Sequence, residues 1–197
     1  MIQYPNIDPI ALSVGPVSIY WYGLTYVGGL IFAWWLGRQR AQLAGSPIKV
    51  DQIDDLIFYA ALGIIAGGRI GYALFYGSGS LVDDPLRIVR IWEGGMSFHG
   101  GFLGVVVAMW FLCRNHKIEF GALVDFIAPL APVGLALGRL GNFINQELWG
   151  RPADVPWAMV FPNDPSGLAR HPSQLYQFAM EGMLLFGLLF WFTQRPR

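Results

Sequence analysis

Polar residues punctuate this chain at long intervals. Between them lie five apolar runs, roughly Ile19–Trp35, Leu56–Tyr76, Phe98–Cys113, Leu123–Phe143 and Leu175–Thr193. A helix that crosses a bilayer needs about 20 mostly apolar residues. Three of the runs have that length, and flanking residues extend the first and third. Five such helices in a soluble domain of 197 residues would leave too little polar surface to cover them. The pattern therefore predicts an all-α, polytopic membrane protein, read as one membrane-embedded domain over residues 1–197.

Composition agrees. Apolar residues make up 54% of the chain and charged residues 13%, against about 25% charged in ordinary soluble domains. Thirteen basic and thirteen acidic residues cancel, so net charge gives no reason to expect a nucleic-acid partner. A lone cysteine, Cys113, excludes an internal disulfide. The first seventeen residues lack Lys and Arg, which argues against a cleaved secretory signal.

Basic residues in the connections set the orientation. Arg38, Arg40, Lys49, Arg114, Lys117, Arg195 and Arg197 fall on one side. Arg87, Arg90, Arg151 and Arg170 fall on the other, mixed with Asp83, Asp84, Glu93, Asp154 and Asp164. The positive-inside rule then puts the amino terminus outside and the carboxyl terminus inside. The two long connections, 77–97 and 146–172, lie outside. The second carries "LWGRPADVPWAMVFP", too apolar for disorder, and reads as a small outer-face cap made of loops.

With this topology, even-numbered spans end, and odd-numbered spans begin, at the outer leaflet. Arg69 in "GGRIGYALFY" and Arg139 in "GRLGNFINQ" approach it from within. An arginine at the centre of a membrane helix costs roughly 2.5–3.5 kcal/mol on insertion scales, so each needs a partner, a water cavity or a task. The first span opens on "IYWYGLTY", placing Tyr22 and Tyr26 on one face. The third opens on "GGMSFHGGFLG" with His99, and the fifth on "RHPSQLYQ", where His171 precedes a helix start at Pro172 or Ser173. Each has a plain alternative: snorkelling arginines, interfacial tyrosines, or a packing histidine. Together, Tyr22, Arg69, His99, Arg139, Asn142, Asn145, Glu147 and His171 point to one polar cavity. Arg139, Asn142 and Gln146 share a face if helix continues that far. Glycines at 100, 101, 138, 141 and 150 permit close approach of backbone or lipid. Two guanidinium forks suit a phosphate. The three histidines, at 99, 116 and 171, lack metal-site spacing, and no nucleophile elbow or P-loop is present.

"GRLGNFINQELWG", Gly138–Gly150, matches Gly-Arg-x-x-Asn-Phe-x-Asn-x-Glu-x-x-Gly at every fixed position. "YWYG", "GGRIGYALFY", "GGMSFHGG" and "RHPSQLY" stand around it in a matching order. On these residues, over nearly its whole length, the chain resembles the bacterial prolipoprotein diacylglyceryl transferases. The resemblance implies transfer of the diacylglyceryl group of phosphatidylglycerol to the lipobox cysteine of a prolipoprotein signal peptide, in the bacterial inner membrane, with no cofactor or metal. It further implies that Arg139 clamps the phosphate, with Asn142 and Asn145 fixing the glycerol hydroxyls or their own loop. Glu147, in the same motif as Gly150, would orient Arg139. His99 would take the thiol proton and Tyr22 would position substrate or histidine. His171 is a second candidate base, Tyr26 and Glu181 are possible contributors, and Arg69 is a structural or second phosphate contact.

Two departures from the family pattern stand out. Gln177 occupies a position where the family carries Glu, with Glu181 one turn later. The family also has two further membrane helices, seven in all, after the point where this chain ends in "TQRPR". The competing expectation is a phospholipid-binding or transport protein, or an inactive shortened homologue, using the same arginines without chemistry.

Overall fold

In a computed structural model the chain is mostly helical, and the structure describes residues 2–76, 85–90 and 94–193. Helices occupy all five predicted runs: α1 (Trp21–Ala41), α2 (Gln52–Phe75), α3 (Phe98–His116), α4 (Phe120–Ile127) with α5 (Ala131–Ile144), and α6 (Ser173–Thr193). By length and hydropathy α2 and α6 are each able to cross a membrane, and α4 with α5 qualify together as a broken span. α1 and α3 have 21 and 19 residues but a more polar composition.

The fourth run departs from expectation, because it is two helices rather than one. Pro129, in the break at residues 128–130, has no N–H for the carbonyl of Asp125, and its ring crowds that carbonyl. The helix restarts with Pro132 in the first turn of α5, where a missing N–H is no loss.

The described residues form two compact units, Gly37–Phe126 and Met1–Leu36 with Ile127–Arg197. In the first, α2 and α3 pack backbone against backbone. A Cβ added at Gly104 would lie 2.1 Å from the carbonyl oxygen of Gly63, and one at Gly67 would lie 2.3 Å from that of Gly100. Glycines at 63, 67 and 71, and at 100 and 104, repeat every four residues, so each helix presents one bare stripe. The ends of this helix pair at Gln52 and His116 are joined by a polar clasp. His116 Nδ1 lies 2.9 Å from Gln52 Nε2, and its Nε2 is 3.1 Å from an Asp55 oxygen.

In the second unit α5 is the central element. A Cβ on Gly141 would meet Tyr22 and Thr25 of α1 within 3 Å, and one on Gly182 of α6 would meet the Ala136 Cβ at 2.4 Å. Before α1 stands a hairpin absent from the sequence expectations, β2 (Ile10–Val14) and β3 (Val17–Tyr20). Its two-residue turn is Gly15-Pro16, with Gly15 at φ +60°, as a II′-type turn needs. β1 (Ile2–Gln3) pairs parallel with β4 (Met159–Val160), which pairs antiparallel with β5 (Ala169–Arg170). The segment predicted as loops is thus a small sheet over a core of Tyr4, Phe143, Met159 and Phe161.

Most of α6 faces outward, with Met180, Met183, Leu184, Leu188, Trp191 and Phe192 exposed, an apolar surface suited to lipid. Of the charges used for orientation, Asp83, Asp84, Glu93, Arg195 and Arg197 lie outside the described residues, as does much of the connection 77–97.

The bare stripe predicts a sharp intolerance. Gly104→Ala forces α2 and α3 apart and lowers stability by about 1–3 kcal/mol or more, read as a drop in detergent-solubilised Tm. Gly187→Ala, whose added Cβ has nothing within 4 Å, leaves Tm unchanged.

Candidate functional site

The motif 138–150 is divided between a helix and the way that helix stops. α5 ends at Ile144 with Asn145 as its cap. Gln146 N–H donates to the Phe143 carbonyl at 3.0 Å and Glu147 N–H to the Asn142 carbonyl at 2.9 Å. This 5→2 and 6→1 pair is a Schellman stop, which places the residue after the cap in the left-handed region. Here that residue is Gln146, at φ +56°, and Leu148 has the same value. Neither is glycine, so each costs on the order of 1–2 kcal/mol of local strain.

That strain is offset by specific contacts. Tyr4 donates its hydroxyl to the carbonyls of Phe143 and Ile144 at 3.1 and 3.0 Å, satisfying the bare end of α5. Gln146, 8% exposed, accepts at Oε1 from the Asn163 N–H at 3.1 Å. Gln174 of α6 donates from Nε2 to the Glu147 carbonyl at 2.5 Å. Gly150 N–H donates to the His171 carbonyl at 2.9 Å. A Cβ on Gly150 would run into Ser173 Oγ and His171, so only glycine permits that approach. The turn is an arch clamped on both flanks.

Inside the arch, Glu147 accepts from Asn142 Nδ2 at 3.4 Å and from Asn145 Nδ2 at 3.3 Å. The carboxylate thereby fixes the rotamers of both amides and leaves their carbonyl oxygens facing elsewhere. Tyr22 adjoins this group: its hydroxyl lies 3.1 Å from that of Tyr26, the rings are edge to face at 5.0 Å, and Asn142 is its neighbour from α5. A cavity of about 370 Å³ borders the arch, lined by Asn6, Asp8, Asn145, Gln146 and Asn163 with Ile7, Pro9 and Ile144.

Arg139 lies three residues before Asn142, with its side chain 28% exposed. Among the described residues the carboxylate near it is Glu181, at 3.9 Å, too long for a hydrogen bond. Two expectations meet a different geometry here. Among the described residues Glu147 makes no ion pair with Arg139 and accepts instead from Asn142 and Asn145. Gln146 does not share the face of Arg139 and Asn142, because the helix has already ended and its side chain turns to Asn163. Glu181 stands in a π-helical stretch, Phe178–Leu184, of the kind that interrupts α-helices at functional sites.

His171 Nδ1 is 2.9 Å from the Tyr176 hydroxyl, which also accepts from Trp157 Nε1 at 2.7 Å. Arg69 and His99 belong to the other unit. Arg69, 2% exposed, donates to the carbonyls of Ile88, Arg90, Gly94 and Gly95, so its guanidinium holds those residues. Of its two sequence readings, the structural one has the geometric support. His99 is exposed at the start of α3, where Ser97 caps the helix by accepting from Gly100 N–H at 3.2 Å. Of the glycines expected at close approaches, 100, 141 and 150 are so placed, 101 is in ordinary contact and 138 faces open space. Sequence reasoning passed over Tyr4, Gln146 and Gln174 as supports. The one available signal was Gln174 inside "RHPSQLY".

A family model described as prolipoprotein diacylglyceryl transferase matches residues 9–197. Relatives named phosphatidylglycerol–prolipoprotein diacylglyceryl transferase include one from Marinomonas sp. (strain MWYL1), 57% identical over 197 residues. Others come from Chromohalobacter salexigens, 56% identical over 198 residues, and Azotobacter vinelandii, 52% over 197. Each match covers 100% of this chain and 73%, 73% and 74% of the respective relative.

A largely buried ion pair beside the small sheet also reaches the arch. Asp164 accepts from Arg170 Nε at 2.5 Å and from Ser166 Oγ at 2.6 Å, while Arg170 also donates to the Gly150 carbonyl at 3.3 Å. The Arg170 guanidinium, with help from Ser166, holds the Asp164 carboxyl down to about 2. A depressed carboxylate contributes stability that is full above its unfolded value, about 3.9, and is lost as pH falls through about 2. Asp164→Asn is expected to abolish this acid-sensitive contribution between pH about 4 and 2. The fluorescence of Trp149 and Trp157 during acid titration reports it.

Proposed function

Because the chain belongs to the prolipoprotein diacylglyceryl transferase family, we propose that it transfers the diacylglyceryl group of phosphatidylglycerol to the lipobox cysteine of a prolipoprotein. A thioether forms and glycerol 1-phosphate leaves, the first step in lipoprotein maturation. In bond terms the cysteine sulfur attacks the terminal glycerol carbon as that carbon's bond to the phosphate oxygen breaks. Two things are needed: a thiolate, since the thiol with a free pKa of about 8.5 is a weak nucleophile, and preorganised donors for the departing phosphate.

The observation that carries this reading is the geometry around Arg139. A partly exposed guanidinium, with a carboxylate close but not hydrogen-bonded, stands three and six residues before two amides held by Glu147. The fork of Arg139 suits two phosphate oxygens, and Asn142 and Asn145 suit the glycerol hydroxyls beside it. Tyr22, with Tyr26 behind it, closes the apolar side. Gly150 serves by allowing the arch to seat against His171 and Ser173. Glu181 balances the charge of Arg139 when no phosphate is present.

The proton acceptor is assigned on the family motif. His99 is the candidate base, and His171 the second candidate, though its Nδ1 is already engaged with Tyr176. The whole chain acts as one transferase with five spans. Its amino terminus and the small sheet lie outside, in the bacterial inner membrane, and the site serves lipid and signal peptide at the outer leaflet.

Membranes bearing this chain, given a lipobox peptide and phosphatidylglycerol, should yield a peptide heavier by one diacylglyceryl group in mass spectrometry. Arg139→Ala should abolish that product and the binding of phosphatidylglycerol with the fold intact. Lipid binding without product identifies a phospholipid-binding protein instead. His99→Gln should slow the single-turnover rate at neutral pH by about 10²–10⁴-fold; an unchanged rate removes His99 from the base role and turns attention to His171.

A further inference from the structure

We infer that Gln174 is a positioning residue for phosphatidylglycerol, acting through Glu147; this rests on the function proposed above. The side chain is fully buried, at 0% exposure, in the first turn of α6. Its Nε2 donates to the main-chain carbonyl of Glu147, while its Oε1 has no protein donor among the described residues. An amide whose acceptor is left unmatched is a poor choice for packing alone, where a methionine of similar volume serves better. What the amide uniquely supplies is one donor aimed at one carbonyl.

That carbonyl sits at the crown of the arch, between Gln146 and Leu148, both in the left-handed region. The Glu147 N–H is held by the Asn142 carbonyl and its carbonyl by Gln174, so the two bonds together set the backbone from which the Glu147 side chain departs. Glu147 in turn holds Asn142 and Asn145. The chain of control runs from the Gln174 amide to the Glu147 carbonyl, then to the Glu147 carboxylate, then to the two amides proposed to grip the lipid head group. Gln146 restrains the arch from the other side through Asn163, so releasing Gln174 loosens one flank without dismantling the turn.

The consequence is selective for one substrate. Gln174→Met keeps the volume and deletes the donor. It should raise KM for phosphatidylglycerol tenfold or more while KM for the lipobox peptide changes less than twofold. In a Glu147→Gln background, where the carboxylate no longer orders the asparagines, the same substitution should add less than twofold. Gln174→Asn, which keeps an amide but withdraws it by one methylene, should show the same selectivity if Gln174→Met does not fold. Wild-type kinetics in the variant that folds, an equal rise in KM for both substrates, or fully multiplicative losses in the double variant would each overturn the proposal. Failure of the unmodified chain to transfer lipid sinks the proposed function, whereas a transferring chain indifferent to Gln174 sinks only this inference.

Discussion

Helices in lipid gain nothing by hiding apolar surface from a solvent that is itself apolar, so they hold together by close packing of backbone and by the polar bonds this allows. Everything in this chain depends on that constraint. α2 and α3 meet along glycines that leave no room for a methyl group. α5 is gripped from one side at Gly141 by Tyr22 and Thr25 of α1, and from another at Ala136 by Gly182 of α6. The polar groups near Arg139 are therefore presented by a helix that close backbone packing holds on two sides. Side-chain packing alone, with its many rotamers, gives looser control.

The two Gly-Arg-x-Gly sequences show how little of an arginine's role is local. Arg69 and Arg139 have nearly the same neighbours, yet one is sealed and the other open. After Arg69 the helix continues to Phe75, and Ile88, Arg90, Gly94 and Gly95 lay four carbonyls on the guanidinium. After Arg139 the helix stops within five residues, and what returns is a set of amides and a carboxylate occupied with one another. A guanidinium saturated by carbonyls anchors a loop; Arg139 instead keeps a carboxylate at 3.9 Å and stays partly exposed.

The apolar runs located the long helices among the described residues, because twenty apolar residues between polar clusters have few other uses. It did not locate the break at Pro129, since a proline within an apolar run is tolerated in membrane helices often enough to be ambiguous. The hairpin Ile10–Tyr20 escaped because its strands merge with the hydrophobic start of α1, leaving no polar boundary, although Gly15-Pro16 marks its turn. Within the site, the identities of the polar residues were legible but their pairings were not. Glu147 looked like the natural partner of Arg139, and the Schellman stop that carries it away uses Gln146 where a glycine would have signalled it. Tyr4 was illegible for a different reason: it meets Phe143 across 139 residues of chain, and nothing local announces a contact of that length.

The π-helical stretch Phe178–Leu184 has a further meaning. Its bonds span one residue more than those of an α-helix, so it acts as a phase shifter inserted into α6. Each α-helical residue advances the side-chain direction by about 100°. Removing a single residue there would let α6 relax to a uniform α-helix and would leave every side chain intact on its own backbone. Glu181 and Gly182 could then no longer both meet α5 while Gln174 kept its place under the arch. The stretch lets the two ends of one helix serve two appointments that a regular helix could not keep, one with Glu147 and one with Arg139 and Ala136.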